Sequence, residues 1–232
     1  NDPGAFDAER LLGAILAGER LEGQLEYPCH APTRQRWFLM QAWRFYDGQQ
    51  LRVAVIHMDI TRRRLIEDAL RERADRDALT GLFNRESFQE RSEQALARAR
   101  RTTEPVSLLF LDLNKFKRVN DTRGHEIGDM VLHEVAARLS QGVRETDAPA
   151  RIGGDEFAAI LEGSDYENAA ITAQRIKALI REPIHADGLT LEVGCSVGTA
   201  TTSDGHTTVR QLLQEADRAM YAEKEQQTNS KQ

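Results

Sequence analysis

The chain has 232 residues, enough for one large or two modest domains that each bury a core. Its formal net charge of −6 argues against a surface that mainly binds nucleic acid. Cys29 and Cys195 match neither a disulfide framework nor a zinc motif, and the six histidines show no metal-ligand spacing. Because no apolar run approaches the roughly 20 residues of a membrane span and no signal peptide is visible, we expect a cytoplasmic protein, or the cytosolic part of a longer membrane-anchored one.

The N-terminal part of the chain predicts a helix followed by an antiparallel meander. Strand-like runs cover residues 25–29, 36–45 and 51–59, and Asp47-Gly48 is a hairpin turn signal between the last two. An amphipathic helix within about residues 1–22 is predicted by apolar residues at helical spacing, namely Leu11, Leu12, Ile15 and Leu16.

Three segments of this part, residues 26–30, 36–38 and 57–61, resemble the second half of a PAS domain. The resemblance covers residues 5 to 61 and assigns residues 1–61 to a partial PAS sensor domain. The strands and helices that normally begin such a domain are missing. The sheet is therefore expected either to have an unpaired edge strand or to belong to a longer protein.

Residues 62–76 form a densely charged segment with a short apolar stripe at helical spacing. One interpretation is a signalling helix that pairs two protomers, and the other is a solvated connecting helix. The stripe consists of Leu65, Ile66, Ala69 and Leu70.

From Asp77 onward, helical and strand-like patterns alternate, which predicts a sheet flanked by helices, an α/β architecture. A helix capped by Asn84 is expected to run to about residue 100, and the apolar run 106–111 reads as a buried central strand. Further helices are expected over 115–119 and around 127–139, and a strand over 189–199. Capping boxes at Ser164-x-x-Glu167 and Thr208-x-x-Gln211 predict the starts of the last two helices.

Residues 151–161 read as a strand, a tight turn and a second strand, with Gly153 and Gly154 supplying the positive φ of the turn. Asp155 and Glu156 follow at once, and Asp112 ends the predicted central strand. By itself the hairpin fits a solvated acidic turn as well as a cation site. Three carboxylates meeting at neighbouring strand ends would repel unless divalent cations lie between them, which is the arrangement of two-metal attack on a phosphate.

Polar residues that suit a nucleotide follow Asp112. Lys115 and Lys117 are cations suited to phosphate oxygens. Asn120 and Asp129 offer an amide and a carboxylate, and a carboxylate that accepts from N1 and N2 hydrogens would select guanine over adenine.

Six segments between residues 77 and 224 form one ordered set of motifs: 77–85, 112–121, 124–129, Gly153-Gly154-Asp155-Glu156-Phe157, 196–198 and 216–221. In order and spacing they closely resemble the GGDEF family of diguanylate cyclases. The resemblance implies an α+β palm-like fold with a mostly antiparallel sheet over residues 77–226, followed by a tail at 227–232. It also implies a nucleotidyltransferase of class EC 2.7.7 that converts two GTP into cyclic di-GMP and two pyrophosphates.

The same resemblance implies roles for individual residues. The expected ligands of two Mg²⁺ or Mn²⁺ ions per half-site are Asp112, Asp155 and the Leu113 carbonyl. Asp155 and Glu156 are the expected catalytic acids, and which of them acts as a base is left open. The expected substrate contacts are Asn120 and Asp129 for guanine, and Phe116, Lys117, Gly153, Gly154 and Lys224 around the phosphates. The expected inhibitory product site consists of Arg144, Asp147 and Arg175.

Because one domain holds one GTP, the resemblance implies a homodimer that brings two half-sites together, through the PAS part, the linker helix and the GGDEF faces. Two positions depart from the family: Gln227 and Thr228 stand where a glycine and an arginine usually follow Lys224. Asn114 also stands where many members have a second aspartate. The alternative is a catalytically weak domain that senses GTP or cyclic di-GMP within a longer signalling protein. Neither nucleic acid nor a membrane is expected as a partner of this fragment.

Overall fold

The computed structural model describes residues 3–30, 35–203 and 206–229. The chain forms two compact units, Asn1–Glu72 and Arg73–Gln232, and the division falls within the predicted linker. Over the described ranges, no helix is both long enough and apolar enough to span a bilayer.

The first unit contains a three-stranded antiparallel sheet in the order β1-β2-β3, with one helix packed on β1 and β2. The predicted order of a helix and three strands is confirmed, although the helix ends at Leu16, before Gly18 adopts a φ of +83°. Ile15 and Met40 are buried between the helix and the sheet. The elements are α1 (Pro3–Leu16), β1 (Glu22–Pro28), β2 (Trp37–Asp47), β3 (Gln50–Asp59) and α2 (Thr61–Ala74).

The predicted hairpin between β2 and β3 is confirmed: Asp47 pairs with Gln50, and Gly48 has a φ of +69°. After β3, the Thr61 hydroxyl accepts a hydrogen bond of 3.0 Å from the Trp37 amide, at the first residue of α2.

The second unit is built on a four-stranded, wholly antiparallel sheet in the order β5-β6-β4-β9, beside a separate β7-β8 hairpin. This confirms the expected mixed fold with a mostly antiparallel sheet. Its elements are α3 (Arg85–Thr102), β4 (Val106–Asn114), α4 (Phe116–Arg123), α5 (His125–Gly142), β5 (Ala148–Gly153), β6 (Glu156–Glu162), α6 (Tyr166–Arg181), β7 (Ile184–Ala186), β8 (Leu189–Leu191), β9 (Gly194–Thr202) and α7 (Val209–Asn229).

β4 is the central strand, and helices cover both of its faces. Leu109 and Leu111 belong to one core cluster with residues of α5 and α6, whereas Leu108 and Phe110 belong to a second cluster with residues of α3 and α7. Because successive side chains of a strand point to opposite faces, a strand buried on both faces must be apolar throughout. This confirms the interpretation of the apolar run at 106–111.

Two of the three predicted helix caps are confirmed. The Asn84 side chain accepts from the Ser87 amide at 3.0 Å. The Thr208 amide donates to Gln211 Oε1 at 2.9 Å, and the Gln211 amide donates to the Thr208 hydroxyl at 3.3 Å.

The third cap, the capping box at Ser164, is wrong by one residue. Asp165 caps α6 and accepts from the Asn168 amide at 2.9 Å. The Ser164 carbonyl instead accepts from the Ser107 hydroxyl of β4 at 2.7 Å.

Three predicted boundaries are also wrong. The strand expected over 189–199 is two strands, β8 and β9, with a break at residues 192–193. The helix expected over 115–119 runs from Phe116 to Arg123. α7 continues to Asn229, so residues 227–229 are helical rather than part of a separate tail.

Candidate active site

The strand register brings the predicted acids together at one end of the sheet. Asp112 of β4 lies opposite Glu156 of β6, and the Leu113 amide donates to the Asp155 carbonyl at 3.2 Å. Residues directly opposite each other in an antiparallel pair share a face, so Asp112 and Glu156 face the same side. The condition for Asp112 to meet the hairpin acids, that β4 and β6 are neighbouring strands, is confirmed.

The turn between β5 and β6 has the backbone conformation that its two glycines predict. Gly154 has a φ of +53° and Gly153 a φ of +157°, values at which a β-carbon is disfavoured. Space around both positions is open, because a β-carbon built on either glycine would have no heavy atom within 4 Å. The backbone here is therefore accessible to a close approach by a ligand.

Arg151 stabilises this turn through hydrogen bonds from its guanidinium. Its guanidinium donates to the Gly154 carbonyl at 2.8 and 3.1 Å and to Asp77 Oδ1 at 3.2 Å. Burial alone would raise the pKa of Asp77, but hydrogen bonds from Thr80 and Arg151 outweigh it and lower that pKa. Sequence reasoning missed this contact. The available signal was an arginine two residues before the glycine pair together with a distant unpaired aspartate.

Negative charge is concentrated around Glu156. Burial raises the pKa of Glu156, and the charges of Asp112, Asp155 and Asp217 raise it further, while Arg85 opposes them. Asp217 lies on α7 and was not among the predicted site residues. Asp217 and Lys224 are seven residues apart, which places them on one face of the helix. This spacing, together with the predicted role of Lys224, is the sequence signal that could have identified Asp217 as a site residue.

The donor set fits a hard divalent cation. Within residues 3–30, 35–203 and 206–229, no three His, Cys, Asp or Glu side chains lie close enough to form a metal-binding group. The predicted ligand set has only two such side chains, Asp112 and Asp155, and its third ligand is the backbone carbonyl of Leu113. All of these donors are oxygens, which Mg²⁺ prefers. Asp112 Oδ1 accepts from the ammonium of Lys224 at 2.5 Å, so a positive charge already lies against the predicted ligand.

The predicted guanine readers lie where α4 meets α5. Asn120 Oδ1 is buried, and no described residue gives it a hydrogen bond. Gly128 lies against it, since a β-carbon built on Gly128 would be 1.9 Å from Asn120 Oδ1. The next residue, Asp129, lines a cavity of about 560 Å³ with Leu79. A buried acceptor without a partner is an exception that calls for a ligand, a water or a side-chain rearrangement as its explanation.

The remaining predicted substrate contacts lie on two helices, α4 and α7. Phe116 is buried in the core below α4, and Lys117 is exposed on the first turn of that helix. Lys224 comes from α7. Phe116 therefore supports α4 from within, whereas the two lysines carry the charges.

The predicted product site has two of its residues in one turn. Asp147 Oδ2 accepts from the Arg144 amide at 2.8 Å, while its Oδ1 is buried without a partner among the described residues. Burial raises the pKa of Asp147, although the backbone hydrogen bonds oppose the shift. Arg144 and Asp147 line a cavity of about 530 Å³. The guanidinium of Arg175 donates to the Gly142 carbonyl at 2.7 and 3.0 Å, at the end of α5.

Comparison with known proteins identifies relatives of the second unit. A family model described as "Diguanylate cyclase, GGDEF domain" matches residues 74–230. Diguanylate cyclase TpbB of Pseudomonas aeruginosa is 35% identical over 241 residues, covering 98% of this chain and 54% of TpbB. The bifunctional diguanylate cyclase/cyclic di-GMP phosphodiesterase MucR of the same species is 37% identical over 182 residues, covering 78% of this chain and 26% of MucR.

Among solved structures, the coiled coil and GGDEF domain of DgcB from Caulobacter crescentus, in complex with c-di-GMP, aligns with a TM-score of 0.67 and 29% identity. That alignment covers 72% of this chain and 88% of the DgcB chain. The chain spans about half or less of the two curated relatives.

Proposed function

Because this chain belongs to the diguanylate cyclase GGDEF domain family, we propose that it condenses two GTP into cyclic di-GMP and two pyrophosphates. The observation that carries the proposal is the meeting of Asp112, Asp155 and Glu156 at adjacent strand ends, beside a glycine turn with open space around it. A clustered set of carboxylates next to an accessible backbone suits metal-assisted attack on a phosphate.

Asp112, Asp155 and the Leu113 carbonyl would hold two Mg²⁺ or Mn²⁺ ions, which supply activation of the 3′-hydroxyl and charge for the leaving pyrophosphate. The open backbone of Gly153 and Gly154 admits the α-phosphate. Lys224, whose ammonium donates to Asp112, would turn to a phosphate oxygen once cations neutralise that carboxylate, since its three N–H donors can change partners.

Guanine selection rests on Asn120 and Asp129. The unpartnered Asn120 Oδ1 accepts a base N–H, and the Asp129 carboxylate accepts from the N1 and N2 hydrogens that adenine lacks. Lys117, exposed on the first turn of α4, extends toward the phosphates of the same nucleotide.

The reaction requires a second copy of the chain. Cyclic di-GMP contains two phosphodiester bonds, each formed by the 3′-hydroxyl of one nucleotide on the α-phosphate of the other, so two half-sites must face each other in antiparallel orientation. Leu65 and Ile66 of α2 are 53% and 50% exposed on a strongly charged helix. This apolar pair supports pairing through α2. An obligate monomer is expected to bind GTP without forming cyclic product.

The first unit is proposed to be the sensor. Its helix and three-stranded antiparallel sheet have the order expected for the second half of a PAS domain. In this proposal the unit changes how often two half-sites meet, and so the rate, by acting through α2. Since GTP is an intracellular nucleotide, the reaction is placed in the cytoplasm.

Product inhibition is proposed at Arg144, Asp147 and Arg175. The buried, unpartnered Oδ1 of Asp147 supports a ligand donor at this turn, and an arginine both stacks on guanine and binds phosphate. Arg144→Ala is expected to raise the final yield of product, because inhibition weakens. Equal inhibition of this variant and of the wild type by cyclic di-GMP would contradict the assignment of Arg144 to the product site.

The decisive experiment incubates the purified chain with GTP and Mg²⁺ and separates nucleotides by chromatography. Cyclic di-GMP is the expected product, with none from ATP and none from the Asp155→Ala variant. GTP binding without any product would instead assign the alternative function, a nucleotide-sensing domain of a longer protein.

A further inference from the structure

A cavity of about 780 Å³ lies between α4 and the segment that leads from β8 into β9. We call it the α4–β9 cavity. Volumes of this size are typical of small-molecule sites. Neither the proposed substrate contacts nor the proposed product site uses it, and it does not depend on the proposed function.

The α4–β9 cavity and the predicted guanine position lie on different faces of α4. Arg118, Val119, Thr122 and Arg123 line the cavity, and the three- and four-residue spacings 119/122, 118/122 and 119/123 place them along one side of the helix. Phe116 and Asn120 instead approach Gly128 of α5, as the distances from a β-carbon built on that glycine show. The helix therefore separates two binding positions.

The walls of the cavity are basic on two sides. Lys115, Arg118 and Arg123 come from the α4 wall, and Arg181 comes from the end of α6. All four are exposed, and none forms an ion pair with a described residue. Glu192 is the one acid among the described lining residues. Four cations against one carboxylate leave a strongly positive cavity.

The floor of the cavity is apolar and chemically inert. Val119, Leu191 and Val193 contribute aliphatic surface, and Cys195 lies buried among them. Burial raises the pKa of the Cys195 thiol to about 12, so it is protonated at neutral pH and is not a nucleophile. Any ligand here binds reversibly, with its body against aliphatic side chains.

We propose that the α4–β9 cavity binds a small organic molecule with two phosphate groups, of the sugar bisphosphate class. Cations on two walls match anionic groups at two ends of one molecule, and arginine binds phosphate with paired hydrogen bonds. No aromatic side chain occurs among the described lining residues, so the cavity offers no ring on which a nucleobase could stack. This favours a sugar phosphate over a nucleotide.

The test is calorimetric titration of the full chain with fructose 1,6-bisphosphate at fixed ionic strength. The wild type is expected to bind it, and the double variant R118Q/R123Q is expected to bind at least about tenfold more weakly, because two charge-assisted hydrogen bonds are lost. The matched control is R101Q/R210Q, which removes the same charge from exposed positions outside the cavity and should keep wild-type affinity. Circular dichroism verifies that each variant is folded.

A further variant, Asp155→Ala, separates this cavity from the catalytic site and is expected to bind the probe normally. Three results would overturn the proposal: no detectable binding to the wild type, equal weakening in both double variants, or loss of binding in Asp155→Ala. GMP binding that weakens in R118Q/R123Q as strongly as binding of the sugar bisphosphate would overturn the ligand class, because GMP bound at the proposed guanine site does not contact these two arginines.

Discussion

The substitution Gly198→Ala tests whether direct backbone contact between β9 and α7 positions the catalytic charges. A β-carbon built on Gly198 would lie 1.9 Å from the Ala216 carbonyl oxygen and 2.3 Å from the Met220 amide nitrogen. Ordinary contacts begin at 3.4 Å, so the helix backbone must withdraw by about 1.5 Å. The same helix contains Lys224, whose ammonium lies 2.5 Å from Asp112.

The substitution should have two effects, a loss of folding stability and a loss of catalytic rate. Overpacking of this kind costs roughly 1–3 kcal/mol, and the upper half of that range is expected because both obstructing atoms belong to the backbone. A displacement of about 1 Å at a catalytic group costs on the order of 100-fold in rate. Urea denaturation measures the first effect, and the initial rate of cyclic di-GMP formation measures the second.

Gly194→Ala is the matched control on the same strand. The nearest atom to a β-carbon there is Asn114 Nδ2 at 3.7 Å, which is ordinary contact, so stability should change by less than about 0.5 kcal/mol. If Gly198→Ala retained wild-type stability and rate, the proposed dependence of the site on β9–α7 contact would be refuted.

Three further predictions address other parts of the second unit. Gly128→Ala pushes aside the side chain of Asn120, so the KM for GTP should rise about tenfold with a smaller change in kcat; an unchanged KM would exclude Asn120 as a guanine contact. Arg138→Met removes a buried guanidinium that donates to several carbonyls at the end of α6, and should cost about 2–4 kcal/mol by denaturation, whereas exposed Arg101→Met should cost almost nothing. Asp147→Asn should equal the wild type in stability below about pH 4 and exceed it as the pH rises through the raised native pKa of Asp147, because ionisation of the buried acid is disfavoured in the folded state. A stability difference independent of pH would contradict that cause.

Local signals predicted the features that depend on neighbouring residues. Asn84 and the pair Thr208 and Gln211 cap helices through contacts three residues apart, which a sequence displays directly. At α6 the predicted cap was Ser164, and the observed cap is Asp165. The Ser164 carbonyl is held by a hydroxyl from distant β4, so the choice between them depended on a contact that local spacing does not contain.

The division of the strand predicted over 189–199 has a similar origin. Leu191 pairs with Ile184 in the short hairpin, whereas Gly194 pairs with Asn114 of the central strand. Apolar residues alternate without interruption from Leu189 to Val197, but the two halves of the segment have different partners. The break at residues 192–193 is therefore a consequence of strand pairing over long sequence separations.

The glycine turn, the apolar central strand and the acid at its end could be predicted from short segments of the sequence, because backbone preference and burial pattern are local properties. Which side chains join them depends on the packing of distant elements. The contact between Lys224 and Asp112 joins residues more than a hundred positions apart, and Asp217 adds its charge from α7. Arg138 of α5 donates hydrogen bonds to carbonyls at the end of α6. These arrangements depend on how helices pack on both faces of the sheet, and packing is set by the whole core rather than by any segment of it.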